Sequence, residues 1–389
     1  MSSTISPGVR REIFEDFHDD YRESFRKFLQ AEVVPHHKEW MKQHIVSRDL
    51  FTKAAEHGFL AMAIDEEYGG AGADDWRLNA ILVEEAAYAG VMSSWMGPSV
   101  HNDLGIPYLL GSANDEQKAR WFPGVASGET ILALAMTEPG TGSDLAGIQT
   151  RAVRDGDDWI INGAKTFISN GINADMVVTA VRTDDDPHRG LSMFVIERGM
   201  EGFERGNQIE KLGQHANDTA ELFFNDCRVP AENLLGAEGS GFGQLMSHLI
   251  PERLSLAVGS AAAAEKALEV TLAYVKERKA FGRPIGSFQN SRFTLAELAT
   301  KVEMTRAFID RTVGRYIDGT ATVQEAAMAK FWTTDLLWEV CDAGLQLHGG
   351  YGYTTEYQIS EFWADARVNR IYAGSNEIMK ELVGRSLGL

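Results

Sequence analysis

Cysteine is almost absent: Cys227 and Cys341 are the only two in 389 residues and lie far apart, so neither a disulfide framework nor a cysteine zinc site can be built. Positive charge is also scarce. Lys and Arg total 37 against 56 Asp and Glu, a net charge of −19. A surface that acidic repels phosphate backbones and anionic lipid heads, which argues against binding to nucleic acid or a membrane surface. No apolar run approaches the roughly 18–20 residues that span a bilayer. The longest candidate, Leu254 to Ala264, is too short and carries Ser and Gly. Near the N-terminus, Arg10, Arg11 and Glu12 followed by Asp16, Asp19 and Asp20 offer no apolar signal segment, and their acids speak against a transit peptide. The expectation is a cytoplasmic, bacterial-type protein, or one of the mitochondrial matrix if the chain is a processed eukaryotic form. Gly-x-Gly-x-x-Gly after a strand and Gly-x-Ser-x-Gly are both missing, which removes a Rossmann nucleotide site and a nucleophile elbow. His36, His37, His44, His101, His215 and His348 lack metal-ligand spacing and read as surface or loop histidines, so no metal is expected.

What is present is the mix of an ordinary globular protein, 44% hydrophobic and 24% charged, long enough for two or three domains. From about Arg10 to Gln117 the pattern is helical. Phe14, Phe17, Tyr21, Phe25, Phe28 and Leu29 recur as one buried stripe that Pro35 should end. Leu78–Tyr88 reads as a helix with Glu84 and Glu85 on its wet side, and Asp115 as an N-cap. Short β-branched or aromatic runs follow, at Ile131–Met136, Trp159–Asn162, Met176–Val181, Leu191–Ile196 and Glu221–Phe224, separated by turn-rich stretches. Helices return from Gly241: Gly243–Lys276 interrupted by Pro251, Gln289–Asp318, Thr322–Gln346, Glu356–Asp365 and Asn376–Ser386. The fold class is therefore α+β: an N-terminal all-α domain over 1–132, a middle β-barrel or sandwich over 133–237, and a C-terminal four-helix bundle over 238–389.

Five segments could carry chemistry. Met136-Thr137-Glu138-Pro139-Gly140-Thr141-Gly142-Ser143-Asp144-Leu145 leaves a strand for a loop rich in Gly, Ser and Thr, suited to an anionic or heteroaromatic ligand. A plain strand-to-loop turn explains it as well. In Gly163–Gly171, Phe167 and Ser169 fall on one side of a strand, where a ring could stack and a hydroxyl bond a flat ligand; a half-buried hairpin has the same pattern. Gln346–Tyr353, with Gly349, Gly350 and Gly352, is either a helix terminator or a close backbone approach to something bulky. Pro251-Glu252-Arg253 suggests a kinked helix, although a Glu beside an Arg is usually a solvated pair. Arg278, Lys279 and Arg283, near Phe281 and Gln289, form the one concentrated basic spot; it suits a pyrophosphate, or simply offsets a helix dipole.

In this order and on this helix–sheet–helix layout, the five segments resemble the acyl-CoA dehydrogenase family over essentially the whole chain. Met136–Gly147 and Gln346–Asp365 are similar to its two signatures, with departures at Thr141, where a smaller residue is common, and at Glu361, where Lys or Arg is usual; the latter would alter a helix-surface ion pair. The resemblance implies one FAD per subunit, bound at an interface, and a homo-oligomer, most simply a tetramer. It implies contacts to FAD from Met136, Thr137, Gly142, Ser143, Phe167 and Ser169. Arg278, Phe281, Gln289, Gln346, Gly349 and Gly350 would come from the neighbouring subunit, and Ser375 and Glu377 would finish the pocket. The acyl-CoA substrate would lie against Ser143, Arg253, Tyr372, Ala373 and Gly374.

Many relatives carry the catalytic Glu directly after the Tyr of an Ile-Tyr-Glu-Gly sequence. Here that sequence reads Ile371-Tyr372-Ala373-Gly374, and alanine takes no proton. Long-chain and isovaleryl-type members carry the Glu before the Arg of the kinked helix instead, which is Glu252 before Arg253. The resemblance thus implies that Glu252 takes the α-proton while β-hydride passes to flavin N5. The Ala373 N–H and a ribityl hydroxyl would polarise the thioester, and the trans-2-enoyl-CoA would be the product. Electron-transfer flavoprotein would be the electron acceptor. The stretch Val100–Tyr108 is similar to long-chain members, and Gly105 leaves room for a tail. A branched short-chain acyl-CoA, an oxidase or monooxygenase reaction on the same fold, and a non-catalytic subunit are the alternatives.

Overall fold

The computed structural model describes residues 11–187 and 189–389; the start of the helical reading at Arg10 lies outside them. The first helices are α1 (Asp16–Phe28), α2 (Val34–Gln43), α3 (Asp49–Glu56), α4 (Arg77–Ala89), α5 (Met92–Ser99), α6 (Ile106–Ser112) and α7 (Asp115–Ala126). Acids in the first turn of α1 and Arg26 and Lys27 in its last turn complement its dipole. Pro35 does not end the helical run. The chain widens into a π-turn over Leu29–Val33 and Pro35 becomes the second residue of α2, where its missing N–H costs nothing. Phe17 is 50% exposed and leaves the predicted stripe, whereas Phe25, Phe28 and Leu29 are buried. The N-cap of α7 is Asn114, one residue before the expected Asp115: its side chain accepts from Gln117 N at 2.8 Å while Gln117 accepts from Asn114 N at 3.0 Å.

The predicted wet side of α4 is in fact buried. Glu84 is 1% exposed and accepts from Arg11 (2.6 Å), Arg22 (2.9 Å) and Arg306 (3.2 Å), and Glu85 is held by Arg22 and Arg26. An apolar-versus-charged reading of one helix cannot see arginines arriving from two other elements.

The strands are β1 (Leu132–Ala135), β2 (Arg151–Asp155), β3 (Asp158–Ser169), β4 (Met176–Arg182), β5 (Leu191–Glu197), β6 (Phe203–Gln208), β7 (Thr219–Pro230) and β8 (Leu234–Leu235). They form one sheet ordered β6-β7-β3-β2-β4-β5-β8, with β1 parallel to β4. Each residue of β4 is buried. One face (Met176, Val178, Ala180) packs with α6, α7 and the helix after the sheet; the other (Val177, Val181) packs with Trp159, Phe194 and Phe224 inside the folded sheet. Continuous burial explains why β4 reads as a nearly continuous apolar run, broken only by Thr179 before Arg182, without alternation. The half-exposed β2 and β6 escaped the sequence reading for the opposite reason.

The remainder is α8 (Gly241–Ser247), α9 (Leu249–Glu277), the short pair β9 (Lys279–Ala280) and β10 (Arg283–Pro284), then α10 (Gln289–Ile317), α11 (Val323–His348), α12 (Gln358–Asn369) and α13 (Asn376–Ser386). The helical run is interrupted at His248, three residues before Pro251, whose ring would clash with the Ser247 carbonyl if the helix ran on; Pro251 itself falls in the first turn of α9, where no intrahelical N–H is required. The small residues Ala262, Ala263, Ala264 and Ala267 let α9 pack closely against α4 and α11. No helix among the described residues is long and apolar enough to cross a membrane.

Candidate functional site

A cavity of about 220 Å³ opens where the helical parts meet the sheet. Its walls are Val83 and Ala86 of α4; Met92, Trp95, Met96 and Ser99 of α5; Val100, Asp103 and Leu104 of the following π-turn; and Leu134, Met136 and Thr137 at the end of β1. Phe167, Ile168 and Ser169 at the end of β3, one face of α9, and Tyr372 and Ala373 complete it. The α9 residues are Glu252, Ser255, Leu256 and Gly259, spaced i, i+3, i+4 and i+7 along one stripe.

Glu252 projects into this largely apolar space. It is 8% exposed, and its Oε1 accepts the Tyr108 hydroxyl at 3.0 Å. Burial pushes its carboxyl up to about 7, against the opposing pull of that hydrogen bond and of Arg253. Asp103, on the same cavity wall, accepts Ser255 Oγ at 2.6 Å and the Asn79 amide, and burial raises it to about 6. Arg253 does not line the cavity. Its buried guanidinium lies behind, with Nε and Nη1 lacking a hydrogen-bond partner among the described residues.

Phe167 and Ser169 both reach the cavity, but not through simple strand alternation. The register with β7 shifts between Lys165 and Ile168, and Phe167 adopts φ +59°, leaving its ring 66% exposed at the cavity. Beneath them Lys165, fully buried, donates to Glu138 at 2.8 Å and to the Met136 carbonyl at 3.0 Å. Glu138 also accepts the N–H groups of Gln149 (2.7 Å) and Thr150 (2.9 Å), so one ion pair pins both ends of the loop between β1 and β2. On the opposite side, Ala373 (φ +51°) and Gly374 (φ +82°) make a left-handed turn, and Lys330 donates to the Gly374 carbonyl at 2.7 Å.

Of the residues singled out in the sequence, Met136, Thr137, Phe167, Ser169, Glu252, Tyr372 and Ala373 therefore meet at one cavity. Gly142 and Ser143 are exposed on the nearby loop; Gly374 follows in the turn. Ser375 caps α13, accepting Ile378 N at 3.4 Å, and Glu377 is exposed in its first turn. A second group sits apart from the cavity, around the C-terminal end of α9. Arg278 lies over the Tyr351 ring and Tyr274 stacks on His348 (4.1 Å), beside Gly349 and Gly350. Phe281, φ +51° and 95% exposed, crowns the β9–β10 turn; Gln289 and Gln346 are exposed at the adjoining helix ends. A single chain does not bring this second group to the first.

Three of the histidines read as surface groups are buried: His37, His101 and His348. His101 accepts Leu132 N at 3.1 Å and bonds the Val125 carbonyl, and burial lowers it to about 4. Glu361 pairs with His37 at 2.6 Å, joining α12 to α2. Among the described residues there is no cluster of His, Cys, Asp or Glu able to hold a metal ion. Tyr108, Lys165 and Lys330 went unassigned in the sequence. Lys330 left one signal, a lone cation in the small-residue face Ala326, Ala327, Ala329, Thr333 and Thr334 of α11.

Family profiles for the acyl-CoA dehydrogenase N-terminal, middle and C-terminal domains match residues 15–129, 133–227 and 239–388. The chain is 46% identical to the mitochondrial long-chain specific acyl-CoA dehydrogenase of Sus scrofa, over 98% of this chain and 88% of that one. Among solved structures, an acyl-CoA dehydrogenase from Geobacillus kaustophilus superposes with a TM-score of 0.95 at 46% identity, covering 98% of this chain and 100% of its own. A glutaryl-CoA dehydrogenase from Mycobacterium smegmatis in complex with FADH2 superposes at 0.91 with 26% identity, over 100% and 98% of the two chains. With all three domains matched in order, the chain belongs to the acyl-CoA dehydrogenase family.

Proposed function

We propose that this protein oxidises the Cα–Cβ bond of a saturated medium- or long-chain acyl-CoA to the trans-2-enoyl-CoA, with Glu252 as the base that removes the α-proton. The observation that carries the reading is the buried Glu252 carboxyl, raised to about 7 and facing the same cavity as Phe167, Ser169 and Thr137, whereas the cavity's other carboxyl, Asp103, is already engaged by Ser255 and Asn79. A saturated thioester gives up its α-proton reluctantly. A base with its pKa near the working pH is matched to that task better than an ordinary carboxylate. Ala373 supplies the backbone N–H we assign to the thioester oxygen; such a donor acts most strongly where water is excluded and its position is fixed. Lys330, gripping the next carbonyl, holds that turn in place.

The residues fit FAD. The Phe167 ring, exposed in a strained conformation, offers a stacking surface, and Thr137 and Ser169 present hydroxyl-bearing residues to the same space. We assign Met136, Thr137, Gly142, Ser143, Phe167, Ser169, Ser375 and Glu377 to its flavin half. The separate patch of Arg278, Phe281, Gln289, Gln346, Gly349 and Gly350 is assigned to the dinucleotide of a second copy's FAD, which makes a homo-oligomer obligatory. Bound there, FAD supplies the acceptor for the β-hydride. Electron-transfer flavoprotein is the proposed reoxidant.

The length of the tail follows from α9. The cavity-lining stripe extends from Glu252 to Gly259, and at 1.5 Å rise per residue that is about 10 Å beyond the base. This supports an extended medium-to-long acyl chain over a short one. The test is Glu252→Gln: bound FAD is retained, but anaerobic bleaching of the flavin by octanoyl- or palmitoyl-CoA falls at least ~10³-fold. Bleaching at the wild-type rate overturns the assignment.

A further inference from the structure

We infer that Tyr108 is a positioning residue for Glu252: its hydroxyl holds one carboxyl oxygen and leaves the other free to receive the substrate proton. The inference rests on the reading of Glu252 as the base. The Tyr108 O–H donates to Glu252 Oε1 at 3.0 Å, and both residues are buried. No other side chain among the described residues donates to that carboxyl. Glu252 lines the cavity but Tyr108 does not, so the phenol approaches from behind, on the side away from ligand.

The phenol is itself clamped. Tyr108 lies in the first turn of α6, directly after the π-turn that supplies Asp103 and Leu104 to the cavity wall. Its ring packs against the His248 ring at 4.4 Å between centroids. His248 occupies the break between α8 and α9, and its carbonyl accepts the Glu252 N–H at 3.3 Å. Backbone and side chain of the base are thus both tied to one locus. A glutamate has three side-chain torsions; fixing Oε1 removes most of the freedom that would swing Oε2 away from the substrate.

The other ionisable groups around the carboxyl act differently. Arg253, next on the helix, favours its ionised form; Asp103 and Tyr372 share the cavity; His248 stands behind the phenol, its own protonation disfavoured by burial. Burial and the neighbouring carboxylate push the Tyr108 hydroxyl well above its ordinary range, so it stays a donor throughout the working pH range. Its bond favours the carboxylate, so removing it must move the titration of Glu252 upward.

The experiment compares FAD-loaded wild type, Tyr108→Phe and Glu252→Gln. Anaerobic flavin reduction by octanoyl-CoA is followed against pH, with bound FAD and melting temperature as controls. The protonated-carboxyl infrared band that Glu252→Gln abolishes is titrated in parallel. For Tyr108→Phe we expect full flavin content and an unchanged KM within about twofold. Its kcat should be about tenfold lower, and both the rate profile and the infrared titration should move up by about one pH unit. A profile superimposed on wild type, or a uniform loss accompanied by lost FAD, overturns the inference. Wild-type reduction by Glu252→Gln removes the base assignment itself, a different failure. Should Tyr108→Phe not fold, fluorotyrosine incorporation makes the phenol a stronger donor, and the Glu252 titration must then move downward; no movement overturns the inference.

Discussion

Replacing Glu84 by Gln tests whether a buried ion cluster fixes the wall of the cavity. Glu84 and Glu85 on α4 meet Arg11, Arg22, Arg26 and Arg306, while Asp310 pairs with Arg11 and Glu265 with Arg306. Four cations thus face four carboxylates, contributed by the segment before α1, by α1 itself, and by α4, α9 and α10. The neighbours of Glu84 on the same helix, Val83 and Ala86, line the cavity. The surrounding arginines hold the Glu84 carboxyl down to about 2, from 4.5, despite complete burial. A depression of that size corresponds to about 3 kcal/mol of stability. The sign follows from linkage: the contribution is complete above pH 4.5, the unfolded value, and is lost as pH falls through about 2. Glu84→Gln keeps the volume but leaves the arginines in excess, for which a cost of about 3–5 kcal/mol is expected. In a chain of this length that lowers Tm by about 4–6 °C at pH 7. The deficit should shrink towards pH 3, which lies between the unfolded and folded values, so that part of the wild type's contribution is already gone while its carboxylate is still paired. Scanning calorimetry of the FAD-loaded proteins at both pH values measures it. A melting temperature unchanged at pH 7, or a deficit that grows in acid, refutes the reasoning.

Two further substitutions probe the tail and the loop. A Cβ at Gly259 would lie 3.3 Å from the flexible Met92 Cε, so Gly259→Leu should fold while filling the far end of the cavity. Turnover of palmitoyl-CoA is expected to fall about tenfold or more with butyryl-CoA little changed, read from kcat/KM across a chain-length series; equal losses on both would show that the tail does not run along α9. Lys165→Met leaves Glu138 buried without its cation and frees the Met136 carbonyl. A loss of about 3 kcal/mol is expected together with weaker FAD retention, measured by denaturation and by the flavin-to-protein absorbance ratio.

Much of the architecture was legible because it depends on local periodicity. The pattern over Asn376–Ser386 predicted α13 with both ends, and that over Gln289–Asp318 predicted α10 to within a residue. Glu252 was legible only through two complementary positions, a carboxylate before Arg253 and an alanine after Tyr372. Its environment was not: Tyr108 lies 144 positions away and meets it in the folded chain, where its ring also packs on His248 at the break before α9.

The amino-acid order by itself determined the succession of helices, strands and helices, the alanine at position 373, and the carboxylate at position 252 that we propose as the base. Tertiary structure alone decided which charges are buried. Glu84 reads as solvated in sequence and Lys165 and Lys330 draw no role there, yet each is enclosed by partners from distant segments. Hydrophobic periodicity is a property of one element and its neighbours a few residues away. Electrostatic compensation depends on which elements are brought to the same point, and that is fixed only when the chain has folded.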